Sequence, residues 1–292
     1  MANTITLKRR IGSVKNTKQI TKAMELVAAS KMRKTQDSAH ASRPYRIAAT
    51  SLLARLSTMT DVEQHPLYQK RPLKCKLYVV ITSDRGLAGA YNANILRLLT
   101  RSIINDQNSN IQVKVAIIGK QGANFVKRLQ GVEVLATYNA FGDKPSANDV
   151  RPLLQTIIEQ FKSKSVDDVE LLYTDLKSNI VQEAKNLLLL PARFDTSEAD
   201  QDKVTALANA TFEPSVEAVL DGVTERLLEA QLWQATLESV ASEHSMRMLA
   251  MKNATDNASE LIDDLTLAFN TARQASITQE LAEITGGTEA MK

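Results

Sequence analysis

The sequence predicts a long antiparallel two-helix coiled coil, formed by the N- and C-terminal segments, with an α/β domain inserted between them. Three observations predict it. Both ends are nearly free of Gly and Pro and carry apolar residues at helical spacing. Those ends bear opposite charge: residues 1–60 hold twelve Lys/Arg against two acids, and residues 212–292 hold five against fourteen. Two oppositely charged helices of one chain are most simply each other's partners. Between them, residues 74–191 alternate β-rich runs with helical stretches.

The first segment, residues 1–60, has one Gly (Gly12) and one Pro (Pro44) between Ala2 and Met59. Its apolar set is Leu7, Ile11, Val14, Ile20, Met24 and Val27. The six-residue step from Val14 to Ile20 breaks a strict heptad and predicts a local change of coil pitch. Small residues at Ala23, Ala28, Ala29 and Ser30 allow close helix approach, and Pro44 is expected to kink or interrupt the helix. The stretch around His65-Pro66 reads as a linker.

In the middle, residues 76–82 (KLYVVIT) and 113–118 (VKVAII) read as strands, and 132–137 and 169–173 as weaker ones. Helices are expected at 92–104, 121–129 and 149–164. This alternation predicts a Rossmann-like, mostly parallel sheet covered by helices. Residues 192–211, polar and acidic, read as a connector to the third segment, residues 212–286.

From Val216, a seam stepping alternately four and three residues runs to Ser276 through Leu220, Leu227, Leu237, Met251, Ile262 and Phe269; fourteen of its eighteen positions are apolar. That persistence is a coiled-coil signal. Its non-apolar positions are Gln234, His244, Thr255 and Ser276. If the two helices pair antiparallel, the longer C-terminal one overshoots its partner by roughly 20 Å at ~1.5 Å per residue. The overshoot is residues 271–285, where Ile277, Leu281 and Ile284 lack a partner helix and call for an enclosure. The acidic stretch 213–243 is expected to face the basic stretch 31–55, leaving the cluster 8–22 as an under-neutralised positive collar suited to acidic partners.

Composition narrows the function further. The 292-residue chain has one cysteine, Cys75, which excludes an internal disulfide framework. No apolar stretch approaches the ~20 residues of a bilayer span, so no direct membrane insertion is expected, and no secretory signal is visible. Residues 119–122 (GKQG) lack the spacing of a phosphate loop, which leaves the strand–turn–helix units as scaffold. His40, His65 and His244 show no metal-ligand spacing, and Asp263-Asp264 reads as a solvated helix face. No catalytic constellation, metal site or cofactor site is evident. The basic cluster allows an alternative, a homodimeric coiled-coil scaffold that binds nucleic acid through a basic collar. Against it, the cluster has no interleaved aromatics, and an equally acidic segment lies in the same chain.

Two long runs carry a specific resemblance. Residues 11–34 (IGSVKNTKQITKAMELVAASKMRK) and 250–283 (AMKNATDNASELIDDLTLAFNTARQASITQELAE) closely resemble the terminal signatures of the gamma subunit of rotary F-type ATP synthases. The loop 82–89 (TSDRGLAG) resembles that family's loop after the first strand of its central domain, and the match extends over the whole chain. The resemblance implies a non-catalytic rotor shaft, one copy per complex. Its coiled coil would stand in a ring of alpha and beta subunits, and its globular part would contact the epsilon subunit and the membrane c ring. It implies a peripheral place on the cytoplasmic face of a bacterial inner membrane, and no nucleic-acid partner. By the same resemblance, Met24, Asp84, Arg85, Arg273, Gln274 and Thr278 are contacts to the alpha/beta ring. Phe212 and Glu213 align with the region facing epsilon and the c ring. Ala88 stands where many members have cysteine, and the cysteine-bearing insertion of chloroplast-type members is absent, so thiol control is not expected.

Overall fold

The structure, a computed structural model, describes residues 4–60, 64–142, 145–178, 181–193 and 213–290. It divides into two compact units, one formed from Met1–Ala28 with Arg247–Lys292 and the other from Ala29–Met246. Helix α1 (Thr4–Leu56) and the C-terminal helix α5 (Val216–Ala290) each contribute to both.

The larger unit is built around a five-stranded sheet. Its strands are β1 (Cys75–Ile81), β2 (Gln112–Ile118), β3 (Glu133–Tyr138), β4 (Asp168–Leu176) and β5 (Gln182–Leu190), in the order β3-β2-β1-β4-β5. The first four are parallel and β5 pairs antiparallel with β4. The expected mostly parallel sheet is present, with an antiparallel edge that the sequence pattern did not reveal. Strand β5 reads QEAKNLLLL. It has no β-branched or aromatic residue, and its composition favours helix; pairing with β4 overrides that propensity.

Period-2 alternation assigns each strand two faces. On β1, Leu77, Val79 and Ile81 face a core with Leu153, Ile157 and Phe161 of α4 (Ala147–Lys162) and Leu228, Leu232 and Ala235 of α5. Tyr78 and Val80 face the other core, with Ile95, Leu99 and Ile103 of α2 (Tyr91–Asn108) and Val126 of α3 (Lys120–Val126). Each fully buried side chain of this size contributes about 1.5–3 kcal/mol. Helix α4 starts two residues before the expected position because Ser146 caps it: the Ser146 backbone N–H and hydroxyl both donate to Asp149 Oδ2 at 2.8 Å. A third cluster joins Leu53 and Leu56 of α1 to Leu220 and Leu227 of α5 and to Tyr68.

Helix α1 is continuous through Pro44, so the expected interruption is absent. Its inward face corrects the predicted register. Leu7, Ile11, Val14, Lys18, Thr21, Glu25, Ala28, Met32, Thr35 and Ala39 are all buried or half-buried and alternate steps of four and three. The heptad is therefore unbroken; it passes through polar Lys18, Thr21 and Glu25. Ile20 and Val27, read as seam residues, are 61% and 54% exposed. Reading only apolar residues produced the false break. On α5, all seventeen predicted seam positions from Val216 to Ala272 are buried or half-buried, and only Ser276 is exposed. In the smaller unit the Thr255 hydroxyl donates to Thr21 Oγ1 at 2.9 Å. Antiparallel pairing from that bond puts Thr4 opposite half-buried Ala272, after which residues 273–287 are all exposed.

One polar cluster lies inside the larger unit. Lys76 Nζ is 3.0 Å from Glu170 Oε1 and 3.6 Å from Asp106 Oδ2, and the Tyr78 hydroxyl donates to Asp106 at 2.6 Å. Burial pushes the Asp168 carboxyl up to about 6; Lys76 opposes this, while Glu170 and Asp106 add to it. Asp168 Oδ1 is buried without a hydrogen-bond partner. A carboxyl whose folded pKa is raised supports the fold below its unfolded value, near 3.8, and that support is lost as pH climbs through about 6. Asp168→Asn is therefore expected to raise the free energy of unfolding by about 1–2 kcal/mol at pH 7.5, solvent screening reducing the effect of a partly exposed carboxyl, and to be near neutral at pH 3.5. Urea titrations of both proteins at the two pH values check this.

Candidate partner-binding surfaces

Two of the predicted contact regions lie in different units and are described separately. In the smaller unit, every α5 residue from Arg273 to Gly287 is exposed. Ile277, Leu281 and Ile284 are 49%, 59% and 64% exposed, so the expected bare apolar tip is present. Arg273, Gln274 and Thr278 share this tip within two turns, and the Thr278 hydroxyl is tied back to the Gln274 carbonyl at 3.0 Å. Among the described residues Arg273 has no ion-pair partner, so its guanidinium is available to an external acceptor. Met24 is half-buried on α1, beside the seam rather than on the tip.

The charge pattern of the coil differs in part from expectation. Lys8, Arg9, Arg10 and Lys15 are exposed and, among the described residues, unpaired. Residues 8–22 contain no acid, and Glu25, the nearest one on α1, is held by Lys22 at 3.0 Å. Of the cluster 8–22, Lys8, Arg9, Arg10 and Lys15 form an exposed positive patch, while Lys18 is half-buried in the seam and Lys22 is paired. Three of the α5 acids expected to face the basic part of α1 have partners on other elements. Asp221 meets His65 at 2.6 Å, Glu225 meets Lys162 at 3.7 Å, and Glu229 meets Arg151 at 2.7 Å. The sheet and its helices flank α5 and take up acids that a two-helix picture assigns to α1.

The loop after β1 is held from within the larger unit. The Thr82 hydroxyl donates to the Ile118 carbonyl at 2.8 Å and accepts from the Gly122 N–H at 3.0 Å. Asp84 Oδ1 accepts the backbone N–H of Lys120 at 3.0 Å and of Ala140 at 3.2 Å, tying together the three loops that follow β1, β2 and β3. Arg85 is exposed, whereas its carbonyl accepts from the Ser83 hydroxyl. The two residues predicted as a contact pair thus have different surroundings: Asp84 is fastened inward and Arg85 faces solvent. Gly119 and Gly122 are explained by packing. A Cβ on Gly119 would lie 2.2 Å from the Thr82 carbonyl oxygen, and one on Gly122 would lie 2.7 Å from Thr82 Oγ1. Glu213 is exposed just before α5, and Phe212 lies outside the described residues.

The sheet order reverses between β1 and β4, and a crevice beyond the strand ends at such a point commonly receives a ligand. Here α5 approaches it. The Ser239 hydroxyl is 2.8 Å from the Tyr91 hydroxyl and 3.4 Å from the Thr174 N–H, and the Ser242 hydroxyl donates to the Thr174 carbonyl at 3.1 Å. Gln182 Nε2 donates to Ser245 at 3.0 Å. These serines recur at steps of three on α5, a signal in the sequence that the heptad reading passed over.

Comparison with known proteins decides the family. A family model described as ATP synthase matches residues 3–291. The chain is 38% identical over 291 residues to an ATP synthase gamma chain of Acidithiobacillus ferrooxidans, with all of both chains covered. It is 40% identical over 288 residues to one of Heliobacterium modesticaldum, covering 98% of each. The chain belongs to the ATP synthase gamma family. Among solved structures it is similar to a chain of the Tetrahymena thermophila mitochondrial ATP synthase central stalk and c ring (TM-score 0.63, 26% identity, 80% of this chain and 99% of that one). A chain of the Euglena gracilis mitochondrial enzyme shares the fold at TM-score 0.67 and 19% identity, covering 99% of this chain and 94% of that one. Within this family frame, the split between Asp84 and Arg273 is testable. Asp84→Ala leaves two loop N–H groups without their acceptor and is expected to cost about 1–3 kcal/mol. Arg273→Ala is expected to stay within about 0.5 kcal/mol of the parent, as for an unpartnered surface residue. Denaturant midpoints of the two purified variants provide the check.

Proposed function

We propose that this chain is the central shaft of a proton-driven rotary ATP synthase, transmitting rotation between a membrane c ring and a catalytic ring of alpha and beta subunits. The observation that carries the reading is the exposed helix tip, which leaves Ile277, Leu281 and Ile284 in water unless another protein encloses it. The tip belongs to a chain that matches ATP synthase gamma chains from end to end. In this reading residues 1–60 and 212–286 are the shaft, and residues 74–191 are the inserted domain. The chain has no active site of its own, stands as one copy per complex, and also contacts the epsilon subunit. It sits peripherally at the cytoplasmic face of a bacterial inner membrane; no helix of the described residues is long and apolar enough to cross one.

Torque passes through shape and a few breakable polar contacts. Arg273, with Gln274 and Thr278 beside it, serves as a catch on loops of the ring. Met24 and Arg85 make further ring contacts, and Glu213 with Phe212 faces the epsilon subunit and the c ring. Asp84 acts through the loop it holds. A charge-assisted bond of about 1–3 kcal/mol is strong enough to seat the shaft and weak enough to break at each step. The positive collar of Lys8, Arg9, Arg10 and Lys15 favours acidic surfaces of the surrounding ring.

Co-expression with alpha and beta subunits of a compatible bacterial ATP synthase, followed by native mass spectrometry, tests this reading. One copy per three alpha and three beta subunits is expected. A folded chain that stays outside the ring and forms homodimers would overturn it.

A further inference from the structure

We propose that the groove between α2 and α3 docks an acidic amphipathic helix of another subunit. The proposal rests on the rotary-complex reading. The groove holds about 730 Å³ and has an apolar floor made by Leu96, Ile104 and Phe125. Ile104 is 50% exposed although it lies one residue past the buried core position Ile103, so the apolar strip of α2 extends beyond what the sheet covers. Ala93, Leu96, Thr100 and Ile104 follow one another at steps of three and four along α2, which is the spacing that receives the ridge of a third helix.

Charge narrows the occupant. Arg97 and Arg101, one turn apart, line the same groove. Lys120, Lys127 and Arg128 lie on α3 and immediately after it. None of these five cations has an ion-pair partner among the described residues. The only acid on either helix, Asp106, is engaged by Tyr78 and Lys76. A helix with acids at a matching one-turn spacing and apolar residues between them satisfies both features. Guanidinium groups favour the two-point carboxylate contact that such a helix supplies. A lipid surface would meet the charges but not fill the trough.

The test uses the assembled complex. A photocrosslinking amino acid is placed at Ile104, with Gln155 on the exposed face of α4 as control position, and crosslinked peptides are identified by mass spectrometry. A crosslink from position 104 to one acidic helical segment is expected, reduced at least tenfold in the Arg97→Gln/Arg101→Gln background and absent from position 155. A yield at 104 no greater than at 155, a lipid adduct, or capture of a basic or non-helical segment would overturn the proposal. Native mass spectrometry of the same samples reports ring stoichiometry, so loss of the shaft reading is distinguished from loss of the docking site.

Discussion

The larger unit depends on the burial of α5 between two cores. Leu228, Leu232 and Ala235 belong to the core under β1 and β4, while Leu220 and Leu227 belong to the cluster with Leu53 and Leu56 of α1. One helix therefore serves as wall to the sheet and as partner to the coil. Its apolar surface in this region is wider than a coiled-coil seam, and Leu227 and Leu228 show why: adjacent residues point to different cores. Such a helix cannot slide or rotate without opening one core or the other. The Ser239, Ser242 and Ser245 contacts add directional bonds to that constraint. The two-sided burial explains why α5 acids answer to Arg151 and Lys162 rather than to α1 alone.

In the smaller unit the restraint is different. The seam there includes Lys18, Thr21, Glu25 and Thr255, residues that pack less apolar area than leucine would. The Thr21–Thr255 bond fixes register at a modest energetic gain, as polar seam positions do in other coiled coils. Stability in this unit is spread thinly over many layers, with Leu7, Ala28, Met251 and Ala258 as its buried apolar contacts.

Much of this was legible in the sequence because long periodic segments leave a strong imprint. The α5 seam was readable to within a turn of its end, Ser276 lying beyond it, and the tip expected at residues 271–285 from the difference in helix length is exposed from residue 273 to 287. The α1 seam was misread because Ile20 and Val27 are apolar but face outward, while Lys18 and Thr21 are polar but face in; a search for apolar residues alone cannot see that. Strand β5 was hidden by its Lys, Gln and Leu content, since pairing with β4 is a tertiary effect. Of the candidate site, the tip residues were placed by pattern, and the resemblance supplied their roles. The inward tie of Asp84 to Lys120 and Ala140 joins loops distant in sequence, and no local spacing encodes it.

The bond between Thr21 and Thr255 joins residues 234 positions apart. During synthesis α1 leaves the ribosome long before the helix it pairs with. At about 5–20 residues per second, α1 waits roughly ten to fifty seconds for α5 to appear. The inserted domain has its strands and α2–α4 synthesised before α5 emerges, and packing of Leu228, Leu232 and Ala235 on that sheet brings α5 beside Leu53 and Leu56 of α1. The entropic cost of closing a loop of more than two hundred residues is thereby met in part by burial within the larger unit.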